Sequence, residues 1–344
     1  MSYQNVGTPR FYINHLDRLQ ALGEDLELAT VNVAPQGDVI GTDLMEGLHQ
    51  TSDFFRSRKF VAADDTGHIS LVYITPSYQY IEPMDCCILL GHNLGANSNT
   101  RIRCKVRQYV KNEENDYEYN DPTGFENLKN ADFEGNTFRP AKTGFSIVKW
   151  ETSLEHDDDF NYNRIYIYFK NADGTNLEAG DSFKLSGLFF GRIYDMPFSP
   201  DLNLSLSYEF DGVKTTKTRG GATLTNTSYL SPPSHGDYEY FINWGGVTSS
   251  RKLGRRVWDL SFSYMSDSDL APSTFTTYEK MRHDNNFYSQ VIHKTLGGSL
   301  PFIFQPDNTN FDDFAIARFD MKSFKMTQKA HGVYNIKLKI RESW

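Results

Sequence analysis

Residues Arg255-Arg256-Val257-Trp258-Asp259-Leu260-Ser261-Phe262-Ser263-Tyr264 limit what this chain can fold into more than any other stretch. Apolar side chains fall on every second position, at Trp258, Leu260, Phe262 and Tyr264, with Asp259, Ser261 and Ser263 between them. Successive strand residues point to opposite sides of the pleat, so the pattern specifies a strand with one dry and one wet face. Two more stretches repeat it. Leu202, Leu204, Leu206, Tyr208 and Phe210 alternate with polar residues, as do Tyr334, Ile336, Leu338 and Ile340. Three such strands predict an antiparallel sheet covered on one side only.

Composition agrees with a β-rich chain. Of the 344 residues, 25 are Phe and 20 are Tyr, and aromatic side chains favour strands. The length makes two domains the default, and the 39% hydrophobic content is enough for real cores. Charge is uneven. Residues 1–196 hold 18 Lys/Arg against 29 Asp/Glu, a net −11, while residues 197–344 come to +2. An acidic half argues against polyanion binding there, because phosphate contacts need Lys or Arg.

Cys86, Cys87 and Cys104 show no zinc spacing. Neighbours on one strand point opposite ways, which argues against a Cys86–Cys87 disulfide, and all three cysteines are expected as buried thiols of a chain made in a reducing compartment. The opening Met1-Ser2-Tyr3-Gln4-Asn5 has neither the basic nor the apolar region of a signal peptide. No run reaches the roughly 20 apolar residues of a membrane span. The expectation is a chain that is not exported by a classical route and does not span a membrane.

Along the chain, short strands are expected at 10–13, 54–62, 69–74, 86–90, 101–110, 145–150, 164–170 and 183–193, a spacing that suggests a β-sandwich. Residues 111–142 break the rhythm with acids, Asn and turn formers, and read as a long surface insertion. Pro197-Phe198-Ser199-Pro200 marks the domain boundary, giving domains 1–196 and 197–344. Asp211-Gly212 predicts a hairpin that returns the 202–210 strand along 213–218. Residues 219–250 are rich in Gly, Ser, Thr and aromatics and read as an extended arm. One main helix is expected at 286–296, capped by Asp284 or Asn285, with Tyr288, Ile292 and Leu296 on one face and Gly297-Gly298 at its end.

No catalytic, metal or cofactor signature accompanies these elements. Glu155-His156-Asp157-Asp158-Asp159 and the acids of 307–313 lack the alternate spacing and Gly of a calcium loop and read as solvated loops. His92 follows a buried strand, but no nucleophile motif goes with it, and it reads as a turn residue. Gly220-Gly221 lacks the following Lys of a phosphate loop. Paired carboxylates for glycoside cleavage remain open, since sequence gives no separations. Arg255 and Arg256 at the strand entrance suit an interface or a solvated edge better than a nucleic-acid contact.

Taken with Leu300-Pro301-Phe302-Ile303-Phe304-Gln305-Pro306-Asp307, Tyr334 to Glu342, Gly191-Arg192-Ile193-Tyr194-Asp195-Met196-Pro197, Lys217-Thr218-Arg219-Gly220-Gly221 and Gly7-Thr8-Pro9-Arg10-Phe11-Tyr12-Ile13, the 254–264 stretch resembles structural proteins of tailed, particularly marine, bacteriophages. The second half is similar to the ring-forming domain of distal tail proteins, with one departure: that domain usually comes first. The first half, with Leu89-Leu90-Gly91-His92-Asn93-Leu94, looks like the galactose-binding-like sandwiches attached to such proteins. The resemblance implies a minor tail protein of the virion, assembled in the host cytoplasm. It implies a ring, six copies or alternatively three, between the tail tube and the tail-tip hub or baseplate, with tail fibres or host glycan as further partners. No enzymatic activity, cofactor or specific nucleic-acid binding is expected. The alternative is a peripheral carbohydrate-binding or host-recognition module, or a glycan hydrolase. Within the ring reading, Tyr229, Tyr238, Tyr240 and Trp244 of the arm are expected at the interface, since aromatics anchor interfaces. Tyr117, Tyr119 and Phe125 in the 111–142 segment are expected to touch sugars or neighbouring tail proteins.

Overall fold

A computed structural model describes residues 6–22, 27–31, 33–35, 58–62, 68–74, 85–90, 92, 100–111, 117–120, 123–127, 133–134, 137–138, 145–151, 160–171, 182–185, 187–202, 204–209, 214–226, 255–276, 284–310 and 313–343. The chain is mainly β, with a large antiparallel sheet and few helices. It divides into two compact units. The first comprises Met1–Phe11, Asp195–Ser234 and Asn243–Trp344, the second Tyr12–Tyr194 and His235–Ile242. The break at Asp195 falls beside the Pro197–Pro200 punctuation. The opening eleven residues, however, belong with the second half, and a short piece of 219–250 belongs with the first.

In the first unit the strand order is Ser205–Glu209, Arg255–Ser266, Val333–Glu342, Ala315–Phe319 and Phe302–Gln305, followed by the start of Arg10–Asn14; Met326–Ala330 also pairs with Val333–Glu342. Trp258 lies opposite Ile340, Leu260 opposite Leu338 and Phe262 opposite Ile336, and all six are buried. Two alternating strands in this register bury their dry faces together. Onto that face packs an aromatic cluster. The ring of Phe11 lies 5.3–6.1 Å from those of Phe287, Phe302, Phe304 and Phe319, and Trp258 meets Phe304 edge-on at 5.1 Å. Each fully buried aromatic ring contributes roughly 1.5–3 kcal/mol. Phe11 explains why the first residues of the chain join this unit.

Several expectations are corrected by the structure. The alternation in Arg255–Ser266 does not run to Tyr264. A bulge between Phe262 and Met265 shifts the register, so Met265 is buried and Tyr264 is 78% exposed at φ 61°. The extra residue of a bulge moves the next side chain to the other face. The apolar side of the 202–210 stretch is only partly covered: Leu204 and Leu206 are half-buried, Tyr208 is 48% exposed, and Leu202, before the strand Ser205–Glu209, is wholly exposed. Lys214–Lys217 is not the return strand of a 211–212 hairpin, for it pairs with Thr223–Asn226 around a turn at 218–222; Asp211 and Gly212 lie outside the described residues.

Another concerns the main helix. Tyr288–Ile292 is a five-residue π-helical segment, marked by i to i+5 hydrogen bonds from the His293 N–H to the Tyr288 carbonyl and from the Gly297 N–H to the Ile292 carbonyl. Neither Asp284 nor Asn285 caps it; Phe287 stands at the N-cap position, and Asn286 Oδ1, just before it, accepts from the Ser289 N–H at 2.8 Å. Leu296 adopts φ 51° and points to solvent instead of sharing a face with Ile292. Gly297 and Gly298 follow at positive φ, and a Cβ on Gly298 would strike the Phe319 side chain. Two further short helices, His15–Ala21 and Asp267–Leu270, also occur.

In the second unit, Gly187–Asp195, Cys86–Leu90, Phe145–Glu151 and Thr123–Asn127 are neighbours in that order. Cys86–Leu90 is buried throughout, as its unbroken apolar run requires. A seven-stranded sheet centres on Thr100–Lys111 and Phe160–Asn171, and three short strands form another. The 111–142 segment is not a plain surface loop. Tyr117–Asn120 pairs with Thr100–Lys111, Thr123–Asn127 with Phe145–Glu151, and Thr137–Phe138 with Ile102 and Arg103. Its alternating Tyr and Phe residues carry strand preference that the acids and Asn conceal.

Candidate functional site

Arg256, at the entrance of the Trp258 strand, is turned into its own unit. Its guanidinium donates to Glu342 Oε1 at 3.0 Å and Oε2 at 3.3 Å, to Asp313 Oδ1 at 2.5 Å and to the Phe314 carbonyl at 2.8 Å. It also stands 5.0 Å from the Trp258 ring centre. Burial works against the charged form, but Glu342 and Asp313 outweigh it and hold the guanidinium above its ordinary range. A planar fork satisfied on both edges is a structural clamp within the unit. Arg255 is half-buried beside it. Arg10 and Asp195 form a second bidentate pair at 2.6 and 2.8 Å.

The remaining expected contacts fall elsewhere. Tyr229, Tyr238, Tyr240 and Trp244 lie outside the described residues. Tyr117, Tyr119 and Phe125 lie on described strands, but their side chains are outside the described residues.

His92 and Ser146 bring a candidate base and a candidate nucleophile together. His92 Nε2 lies 2.8 Å from Ser146 Oγ, and both residues are almost fully buried. Burial on this scale leaves no approach for a substrate, so the pair acts as a core hydrogen bond. Asp85 cannot complete a triad, since the five-residue strand Cys86–Leu90 separates it from His92 by about 20 Å at the strand rise.

Asp85 itself is unusual. The residue is half-buried, yet its carboxyl is enclosed and accepts from the Ile193 N–H at 2.7 Å. Desolvation pushes it up to about 7, against the Ile193 hydrogen bond and the charges of Arg192 and Lys149. Asp307 is used locally, with Oδ1 accepting from the Thr309 N–H and hydroxyl, and Asp313 is held by Arg256. No group of three or more metal-ligating side chains occurs among the described residues.

Two exposed surfaces of the first unit remain. The ribbon Lys214–Lys217/Thr223–Asn226 is exposed at every described position from 215 to 225, Leu224 included. Its turn, with Gly221 at φ 84°, places Arg219-Gly220-Gly221 at a hairpin tip and not at a helix start. The second surface is the Lys-rich wet side of Met326–Ala330 and Val333–Glu342. Sequence reading missed it because those lysines serve equally as ordinary polar spacers of an alternating strand.

No protein-family model, curated protein or solved structure matches the chain.

Proposed function

We propose that this chain is a structural component of a bacteriophage tail, a distal tail protein whose second half forms a ring between the tail tube and the tail-tip hub. It works by assembly and not by catalysis. The observation that carries the reading is the exposed ribbon 214–226 in a unit whose sheet is dry on one face. A two-stranded ribbon of four residues a side is marginally stable alone in water, so it is best understood as an arm completed by a neighbouring subunit. The sequence resemblance supplies the identity of the assembly. Under this reading the first half is a galactose-binding-like sandwich at the periphery, contacting tail fibres or host glycan.

A tail tube is a closed stack, so the subunits meet head to tail around an axis. Six copies are expected. Permanent contacts of this kind bury on the order of 2,000 Å² or more. Native mass spectrometry of the ring released from purified particles tests the reading. A six-fold mass supports it, a three-fold mass moves the ring toward the hub, and a single copy per particle refutes it.

A further inference from the structure

The hairpin that closes the first unit carries more positive charge than its surroundings neutralise. Residues 321–341 contain Lys322, Lys325, Lys329, Lys337, Lys339 and Arg341, and no Asp or Glu. Register places several of them together. Met326 lies opposite the buried Ile336 and Thr327 opposite Asn335. Lys325, one residue before Met326, therefore falls on the Thr327 side, next to Lys337, and like charges so placed across strands are unfavourable.

Two groups at one end find carboxylates. Lys339 Nζ lies 2.8 Å from Asp320, which raises its pKa, and Arg341 lies 2.8 Å from Glu209. Asp259 stands opposite Lys339 in the register. At the other end Lys322, Lys325, Lys329 and Lys337 are exposed and make no ion pair among the described residues, and the exposed His331 and Tyr264 flank them. Asp267 meets the turn through its own N–H, which donates to the Gly332 carbonyl. The Asp201 carboxylate stands on the same wet side, accepting from the Ser261 and Ser263 hydroxyls with Ser261 opposite Lys337, so the surplus of positive charge lies toward Lys322, Lys325 and Lys329. A folded surface with more lysines than carboxylates favours an anionic partner.

We infer that this Lys-rich face docks the acidic first half of a second copy of the chain. Charge complementarity selects that occupant, because residues 1–196 carry a net −11. The inference rests on the ring reading and adds to it a contact between the ring-forming half of one copy and the peripheral half of the next. It also turns the lysines toward protein and away from the lumen, where they would hold the phosphates of passing DNA.

The test is sedimentation velocity on the full chain, wild type against Lys325→Glu/Lys329→Glu/Lys337→Glu, up to about 100 μM in about 50 mM and 500 mM salt, spanning weak and strong screening. All three side chains are exposed, so the melting temperature of the variant should match the wild type, and a large drop would remove it in favour of Lys→Gln replacements at the same sites. The expected result is self-association that weakens with salt and is at least tenfold weaker in the variant. A monomeric wild type, or identical association in both chains, overturns the inference. So does tighter retention of a DNA oligonucleotide than of a second copy, lost in the variant, which would assign the face to a polyanion. A chain that self-associates through this face yet is absent from phage particles would overturn the tail assignment and leave this contact standing.

Discussion

Arg256 shows how one side chain can read as a contact residue in sequence and serve as an internal clamp. Next to Arg255 at the mouth of a strand it suggests an interface, and nothing local announces Glu342, 86 positions away. Removing one member of a buried pair leaves the other charge unmatched, so Arg256→Ala or Glu342→Ala should cost about 3–5 kcal/mol in urea unfolding. Joint replacement by Met and Leu should cost much less. A single-site loss below about 1 kcal/mol would contradict the buried clamp. Asp85 gives a pH signature. Its folded pKa, near 7, exceeds the ordinary carboxylate value of 3.8, so the folded state holds a proton that the unfolded state has lost. Stability of the second unit should therefore fall as pH rises from about 4 to 7, with a slope approaching 1.4 kcal/mol per unit. Asp85→Asn keeps an acceptor for the Ile193 N–H and should flatten that slope. An unchanged slope in the variant would remove Asp85 as its source.

Single elements mark where alternation stops being a guide. Trp258, Leu260, Phe262, Ile336, Leu338 and Ile340 are buried as their period-2 spacing requires. Tyr264 continues the same period but faces solvent, because register depends on a bulge that no composition signal marks. A non-glycine residue at φ 61° is strained, and an exposed ring gives little packing in return. Tyr264→Gly should thus stabilise the chain by about 0.5–1 kcal/mol, read as a shift in the unfolding midpoint. A loss of stability would show that the ring contributes packing this account omits. The Tyr288–Ile292 segment is a similar case. Its Gly297-Gly298 stop was legible, but the π geometry follows from bonds that four-residue spacing cannot distinguish. The strands of 111–142 were hidden because their partners lie in Thr100–Lys111 and Phe145–Glu151. Deleting 111–142 should therefore lower stability, measured by thermal unfolding, where a true surface insertion would leave it unchanged.

At the level of the molecule, one break between the units falls at Asp195, close to the punctuation at 197–200, while the placement of Phe11 among Phe287, Phe302, Phe304 and Phe319 is a long-range packing choice without a local sequence signal. The exposed ribbon, the exposed Leu202 and Tyr208, and the unpaired lysines all lie on the first unit. Each is a cost to an isolated chain that a neighbouring subunit would relieve. The proposal that a tail ring provides those neighbours meets its most direct test in electron microscopy of purified phage particles carrying an antibody label on this chain. The account predicts label in a rotationally symmetric ring on the tail axis, at the junction of tube and tip. Label confined to peripheral fibres, or particles that lack the chain, would contradict it.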